Sequence, residues 1–281
     1  MLNLISSDIF RVRKGKSIKG VIGGILCMVL FMAIMFKIMG SLSFMESISV
    51  GENILIESEA DLQDVKEIQG FIPANGGEFT LTMFTEASNS LSLFLLAFII
   101  AVFGAEFSSG AFRNLLSYES NRAKIYFARL LTIILFSVIA ILSMVIISMI
   151  AGSIIFGFGG MGSGFFIQLF TGLLLQLPIY IAFISLGQFI LIFTKKTSST
   201  IAFYLVGLVI WTLVIDILAM LSSSLNWLMN LELMTALNTV ADYPSAASSD
   251  IAVSLIFSAA LIIASTIFGI FKYQRTDFDF A

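Results

Sequence analysis

The chain has 281 residues, of which 58% are hydrophobic and 12% charged, and its mean hydropathy is +1.03. Soluble domains carry about 45–50% apolar and about 25% charged residues, so the composition points to an integral membrane protein. The formal net charge of -3 matters less than its segregation, and the absence of histidine removes the usual neutral-pH proton carrier and the commonest metal ligand. The lone cysteine, Cys27, allows no disulfide within the chain.

Apolar stretches recur along the length without the period-two alternation of a membrane barrel. Each covers roughly 20 residues, enough to cross about 30 Å of hydrocarbon as a helix. The predicted fold is therefore all-α, with six transmembrane helices, because a spanning helix satisfies its own backbone.

Residues 1–19 place Leu2, Ile5, Ile9 and Val12 at helical spacing, with Asp8, Arg11 and Arg13 on other faces. This pattern predicts an interfacial helix lying on the membrane. Arg11, Arg13, Lys14, Lys16 and Lys19 precede the first span, 20–39, and by the positive-inside rule put the N-terminus in the cytoplasm. A cleaved signal peptide fits less well, since the apolar run exceeds the usual roughly 7–15 residues and no A-x-A site follows.

Residues 40–90 carry nine acids and Lys66, and are expected outside the cell. Within them Ile54-Leu55-Ile56, Phe71-Ile72-Pro73 and a turn at Asn75-Gly76-Gly77 suggest a small folded element. The second span, 91–105, is short and is expected to begin about a turn earlier. The third, 130–156, leads into a charge-free turn at 157–164 (GFGGMGSG), read as flexible. The fourth, 165–193, contains Pro178, which should kink it. Lys195 and Lys196 mark a cytoplasmic turn before the fifth span, 199–221. Residues 222–250 hold Leu225, Trp227, Leu228, Leu231, Leu233 and Met234, which suits a re-entrant or interfacial hairpin with Trp227 at headgroup level. The last span, 251–271, ends at Lys272 and Arg275, returning the C-terminus to the cytoplasm.

Two nucleotide-like motifs fail on context. Gly15-Lys16-Ser17 lacks the first glycine of a Walker A loop, since Phe10 occupies that position. Residues 157–162 satisfy G-x-G-x-x-G, but no strand precedes them. A catalytic site fails on inventory: a serine–histidine pair has no histidine, and Asp216 stands alone as an acid within a span. No metal site or nucleic-acid site is expected.

An intramembrane acid is a functional candidate by its depth. Asp216 also falls near the outer end of its helix, where it could face water or pair with Lys37. Gln176 and Gln188 in the fourth span could line a translocation path, although uncharged polar residues there, Gln168 and Ser185 included, more often join helices.

The stretch 105–129, AEFSSGAFRNLLSYESNRAKIYFAR, interrupts the apolar runs with Arg113, Arg122, Lys124 and Arg129. Phe107, Ala111 and Leu115 recur at i, i+4 and i+8, so 106–117 can form a short amphipathic helix. Glu106 and Arg113 fall on roughly one side of it, and Ser120 or Asn121 can cap the helix that follows. An ordinary basic loop is the plainer reading.

The pattern Glu106-Phe107, Gly110, Arg113, Asn114-Leu115-Leu116-Ser117, Arg122, Ile125-Tyr126 and Arg129 resembles the loop after the second span in permease subunits of type-2 ABC exporters. It is most similar to the Gram-positive group associated with bacitracin, lantibiotic and other antimicrobial-peptide export or immunity. The chain departs from the pattern at Glu119-Ser120, where many members have proline, and at Arg129, where lysine is common. The resemblance implies that 106–117 is the coupling helix docking on a separate ATPase subunit, with Glu106, Phe107, Gly110, Arg113, Leu116 and Arg122 as the transmission site. It also implies two ATPase subunits that bind ATP and Mg, no cofactor in this chain, and a second permease as an identical or different partner. Residence in the cell membrane of a Gram-positive bacterium, export of a peptide, drug or lipid-like substrate, and no enzymatic activity of its own follow from the same likeness. Two other classes fit the composition: an immunity or sensor protein binding a peptide or lipid without ATP, and a secondary transporter, for which no inverted repeat is evident.

Overall fold

A computed structural model describes residues 2–14, 17–40, 72–104, 121–221, 223–241 and 243–275. Every element among them is helical. Helix α1 (Leu2–Lys14) leads to α2 (Ser17–Met39), α3 (Gly76–Ile99) and a π-helical turn (Ile100–Gly104). Then come α4 (Arg122–Phe156), α5 (Ser163–Thr194), α6 (Thr197–Leu221), a 3-10 segment (Ser223–Leu231), α7 (Leu233–Ala241) and α8 (Ser248–Arg275). Five helices, α2, α4, α5, α6 and α8, are long and apolar enough to cross a membrane. The bent pair Gly76–Glu86 and Ser90–Gly104, inclined at 60°, makes a sixth if it counts as one span.

Helix α3 is the axis of the packing. Lipid is as apolar as leucine, so helices associate by close fit at small residues rather than by excluding water. The ring of Phe94 occupies the space a Cβ would take at Gly24 of α2, Phe79 does so at Gly152 of α4, and Phe84 at Gly172 of α5. Ile99 repeats the arrangement at Gly187 of α5, and Tyr126 of α4 fills the notch at Gly269 of α8. Helices α5 and α8 pack along their lengths, whereas α6 turns most of its apolar side chains outward.

Helix α3 begins at Gly76, within the stretch expected as outer segment, and is bent by 60° between Glu86 and Ser90. Asn75 is its N-cap rather than a turn residue: its side chain accepts from the Glu78 amide at 3.0 Å. Glu78 reaches back to the Ala74 amide at 2.8 Å and to Asn75 Nδ2 at 2.9 Å. Reciprocal bonding of this kind satisfies donors that a helix start leaves open. The glycine turn at 157–164 is likewise not merely flexible. Its carbonyls accept from the start of α3, Gly76 N to Gly157 O at 3.1 Å and Gly77 N to Gly159 O at 3.0 Å. Gly160 adopts a φ of 71° beneath Asn75, a conformation that glycine reaches without strain.

The remaining boundaries move by a few residues. The third span starts at Arg122, capped by Asn121 as expected; its side chain accepts from Lys124 N at 3.2 Å. The fourth continues through Pro178 from Ser163 to Thr194. The segment 222–250 is a hairpin whose helix α7 enters among α3, α5 and α8. Ala236, Leu237 and Val240 are fully buried there, while Trp227 stays exposed. The small element suggested for 40–90 around Ile54-Leu55-Ile56, and the short helix expected over 106–117, lie outside the described residues.

Contacts sort the helix ends into two groups. One end gathers α1, the π turn, the start of α4, the α5–α6 turn and the end of α8, with Arg11, Arg13, Lys14, Lys19, Arg122, Lys124, Arg129, Lys195, Lys196, Lys272 and Arg275. We refer to it as the basic end. At the other lie Lys37 and the acids Glu78, Asp216, Glu232 and Asp250.

The docking of α3 on the glycine turn gives a direct check. A Cβ at Gly77 would stand 2.6 Å from the Gly160 carbonyl carbon, so Gly77→Ala should destabilise the protein by about 1–3 kcal/mol through overpacking. Gly164→Ala, which meets nothing within 4 Å, should be neutral or slightly stabilising. Thermal unfolding in detergent of both variants measures the difference, and equal melting temperatures would refute the docked arrangement.

Candidate functional site

At the basic end the N-terminal helix is built into the bundle. Its buried face is Leu4, Asp8 and Val12, spaced i, i+4, i+8, while Phe10, Arg13 and Lys14 stay exposed. This corrects the reading that set Asp8 on a polar face: the residue is only 3% exposed. Its carboxylate forms an ion pair with Arg129, itself 2% exposed in the second turn of α4. A charge of either kind would be costly alone at such burial, so each residue's position depends on the other.

Arg11, one turn further along α1, extends the cluster. Its guanidinium lies 3.5 Å from Asp8 Oδ1 and donates to the carbonyl of Val102 in the π turn. A cation at a helix C-terminus meets the partial negative charge of the terminal carbonyls. A π turn displaces the backbone from regular α-helical bonding, and such turns concentrate at functional sites. Helix α1 therefore holds the two helix ends that residues 105–120 join: Arg11 grips the turn that ends α3, and Asp8 grips the base of α4.

The last helix joins the same end. Arg122 Nη1 donates to the carbonyls of Gln274 at 2.9 Å and Tyr273 at 3.3 Å, tying the start of α4 to the C-terminal turn of α8. Tyr273 is fully buried between Phe103 of the π turn, with ring centroids 5.7 Å apart, and Tyr126, at 6.3 Å. Gln188 of α5, fully buried, donates through Nε2 to the Tyr126 carbonyl at 3.3 Å. This is a helix-joining contact of the kind its sequence position suggested. Gln176 is also fully buried in α5.

The candidates separate as follows. Arg122 sits in the basic-end cluster, together with Asp8, Arg11 and Arg129, which sequence reasoning had not selected. Glu106, Phe107, Gly110, Arg113 and Leu116 lie outside the described residues. Asp216 is half-buried on α6 at the opposite end. The suggested pairing with Lys37 does not form: the Lys37 ammonium instead stands 5.9 Å from the Phe156 ring centroid. Among the described residues no group of three or more histidine, cysteine or acidic side chains could hold a metal ion.

A second acid at that opposite end escaped the sequence reading because it falls between predicted spans. Glu232 is 9% exposed at the break between the 3-10 segment and α7. It accepts from Thr212 Oγ1 of α6 at 2.5 Å and from the Thr235 hydroxyl. Trp211, next to Thr212, donates through Nε1 to the Leu231 carbonyl at 3.1 Å and stacks on Phe257 of α8. These bonds tether the hairpin to α6 and give Glu232 a structural account within the fold.

Neither a protein-family model, a curated protein nor a solved structure matches the chain. The site therefore rests on its own geometry.

Two measurements test that geometry. Removing one partner of a buried ion pair costs about 3–5 kcal/mol, so Asp8→Ala and Arg129→Ala should each lower the detergent melting temperature strongly. The swap Asp8→Arg with Arg129→Asp should recover part of the loss; wild-type stability in either single variant contradicts the pairing. At the other end, Glu232→Ala should free the hairpin and shift tryptophan emission to the red, since Trp211 is bonded to Leu231 beside it. Glu232→Gln, which keeps an acceptor for one hydroxyl, should shift it less.

Proposed function

We propose that this chain is the membrane-spanning permease subunit of an ABC exporter, with the connection 105–120 and the helix ends that flank it acting as the transmission site. The observation that carries the reading is the double grip of α1. The connection leaves from a π turn bonded by Arg11 and re-enters at Asn121, two turns before the Arg129 that Asp8 binds. A push on the connection reaches α1, α3 and α4 together, and Arg122 passes it to α8. Transmission of force to several spans from one short segment is what an external motor needs from a membrane partner.

The remaining support is in the sequence: the pattern from Glu106 to Arg129 resembles the coupling region of type-2 ABC exporters, and the basic residues at this end fit the cytoplasmic face. On this reading a separate pair of ATPase subunits binds ATP and Mg and closes on hydrolysable nucleotide. Their closure moves the coupling segments, and two permeases exchange inward- and outward-open states. This chain hydrolyses nothing; Glu106, Phe107, Gly110, Arg113 and Leu116 form the docking segment, and Arg122 fixes it to the bundle. The substrate is a peptide, drug or lipid-like amphiphile. Asp216 lies at the end away from the motor and is assigned no part in coupling.

Arg113→Ala should lower substrate-stimulated ATP hydrolysis by the reconstituted transporter while leaving membrane insertion intact. Full stimulation in the variant would refute the coupling role, and purification of the chain without a stoichiometric ATPase would favour a peptide-binding immunity protein.

A further inference from the structure

We infer that the adjoining ends of α5 and α8 form a binding site for an anionic phospholipid, built by Phe193, Lys195, Lys196, Phe271, Lys272 and Arg275. The inference rests on membrane-crossing helices alone and stands whether or not the chain is a permease. Phe193 occupies the last turn of α5 and Phe271 the last turns of α8, with rings 65% and 51% exposed. Each ring carries a cation on its face. The Lys272 ammonium lies 5.6 Å from the Phe193 centroid, bridging the two helices, and the Arg275 guanidinium lies 3.9 Å from that of Phe271.

The arrangement has the vertical order of a phospholipid. Exposed phenylalanine at the end of a spanning helix belongs at the hydrocarbon boundary, and the cations above it belong at headgroup depth. Lys195 and Lys196 extend the positive surface sideways. Lys195 closes α5 in the left-handed region, φ 55°, with its amide bonded to Leu191 O at 2.9 Å, and both side chains are exposed. Four cations at the adjoining ends of two apolar helices, two of them over exposed aromatic rings, attract a phosphate whose acyl chains run down the apolar flanks of α5 and α8. A soluble acidic partner would use the cations but would leave the two rings without a function.

The test uses the full chain, so that Asp277 and Asp279, which follow Arg275 in the sequence, are present. Nanodiscs of equal phosphatidylcholine and phosphatidylglycerol are prepared with wild-type protein, with Lys195→Asn/Lys196→Gln/Lys272→Gln/Arg275→Gln, and with the control Arg13→Gln/Lys19→Gln on α1 and α2. Native mass spectrometry counts the lipids each protein retains. Wild type and control should retain phosphatidylglycerol several-fold over phosphatidylcholine, and the quadruple variant should fall to the ratio of the bilayer. Lys272→Arg, which keeps the charge, should retain the wild-type preference and so reports on charge apart from folding. No enrichment in the wild type, enrichment that survives the quadruple change, or equal loss in the control overturns the proposal; the first result would hand the patch to a protein partner.

Discussion

The ion pair between Asp8 and Arg129 sets the arrangement of the basic end. Both groups are almost fully buried, among helices long and apolar enough to cross a membrane. At that burial a lone carboxylate or guanidinium costs several kcal/mol, and that cost is what makes the pair specific: α1 has one register in which Asp8 meets Arg129. Once that register is fixed, Arg11 falls on the Val102 carbonyl one turn later. The N-terminal helix is thus a strap across two spans, held by groups that cannot let go separately.

The opposite end is fixed by a different means. There, backbone approaches backbone, glycine turn against helix start, and side-chain carboxylates act as caps and tethers at Glu78 and Glu232. Between the ends, the aromatic side chains of α3 sit in glycine notches of its neighbours. These notches make α3 a shared contact of α2, α4 and α5 on both sides of its 60° bend.

Hydropathy made the helical class and most of the long apolar helices legible, because lipid leaves the backbone one solution per span. Asn121 was legible as a cap for the same local reason. The partners of Asp8 and Glu232 were not. Asp8 bonds a residue 121 positions away; Leu4 and Val12 at i±4 set it on an apolar stripe, but nothing local names Arg129 as its partner. Glu232 lay in a segment read by its leucines and tryptophan, and the carboxylate's role depends on Thr212 in another helix. The glycines at 157–164 looked flexible because sequence shows the missing side chains and not the backbone that takes their place. The helix start at Gly76 was hidden because Glu78 and Glu86 dilute the apolar signal, although Glu78 is acidic at a helix start, where the dipole favours it.

The most direct measurement of the central claim is a photo-activated cross-linker placed at position 113 in cells, with and without depletion of ATP. The account predicts capture of one protein that carries a Walker A loop, with a yield that changes when ATP is removed. Capture that ignores ATP, or a cross-linked product without such a loop, would contradict it.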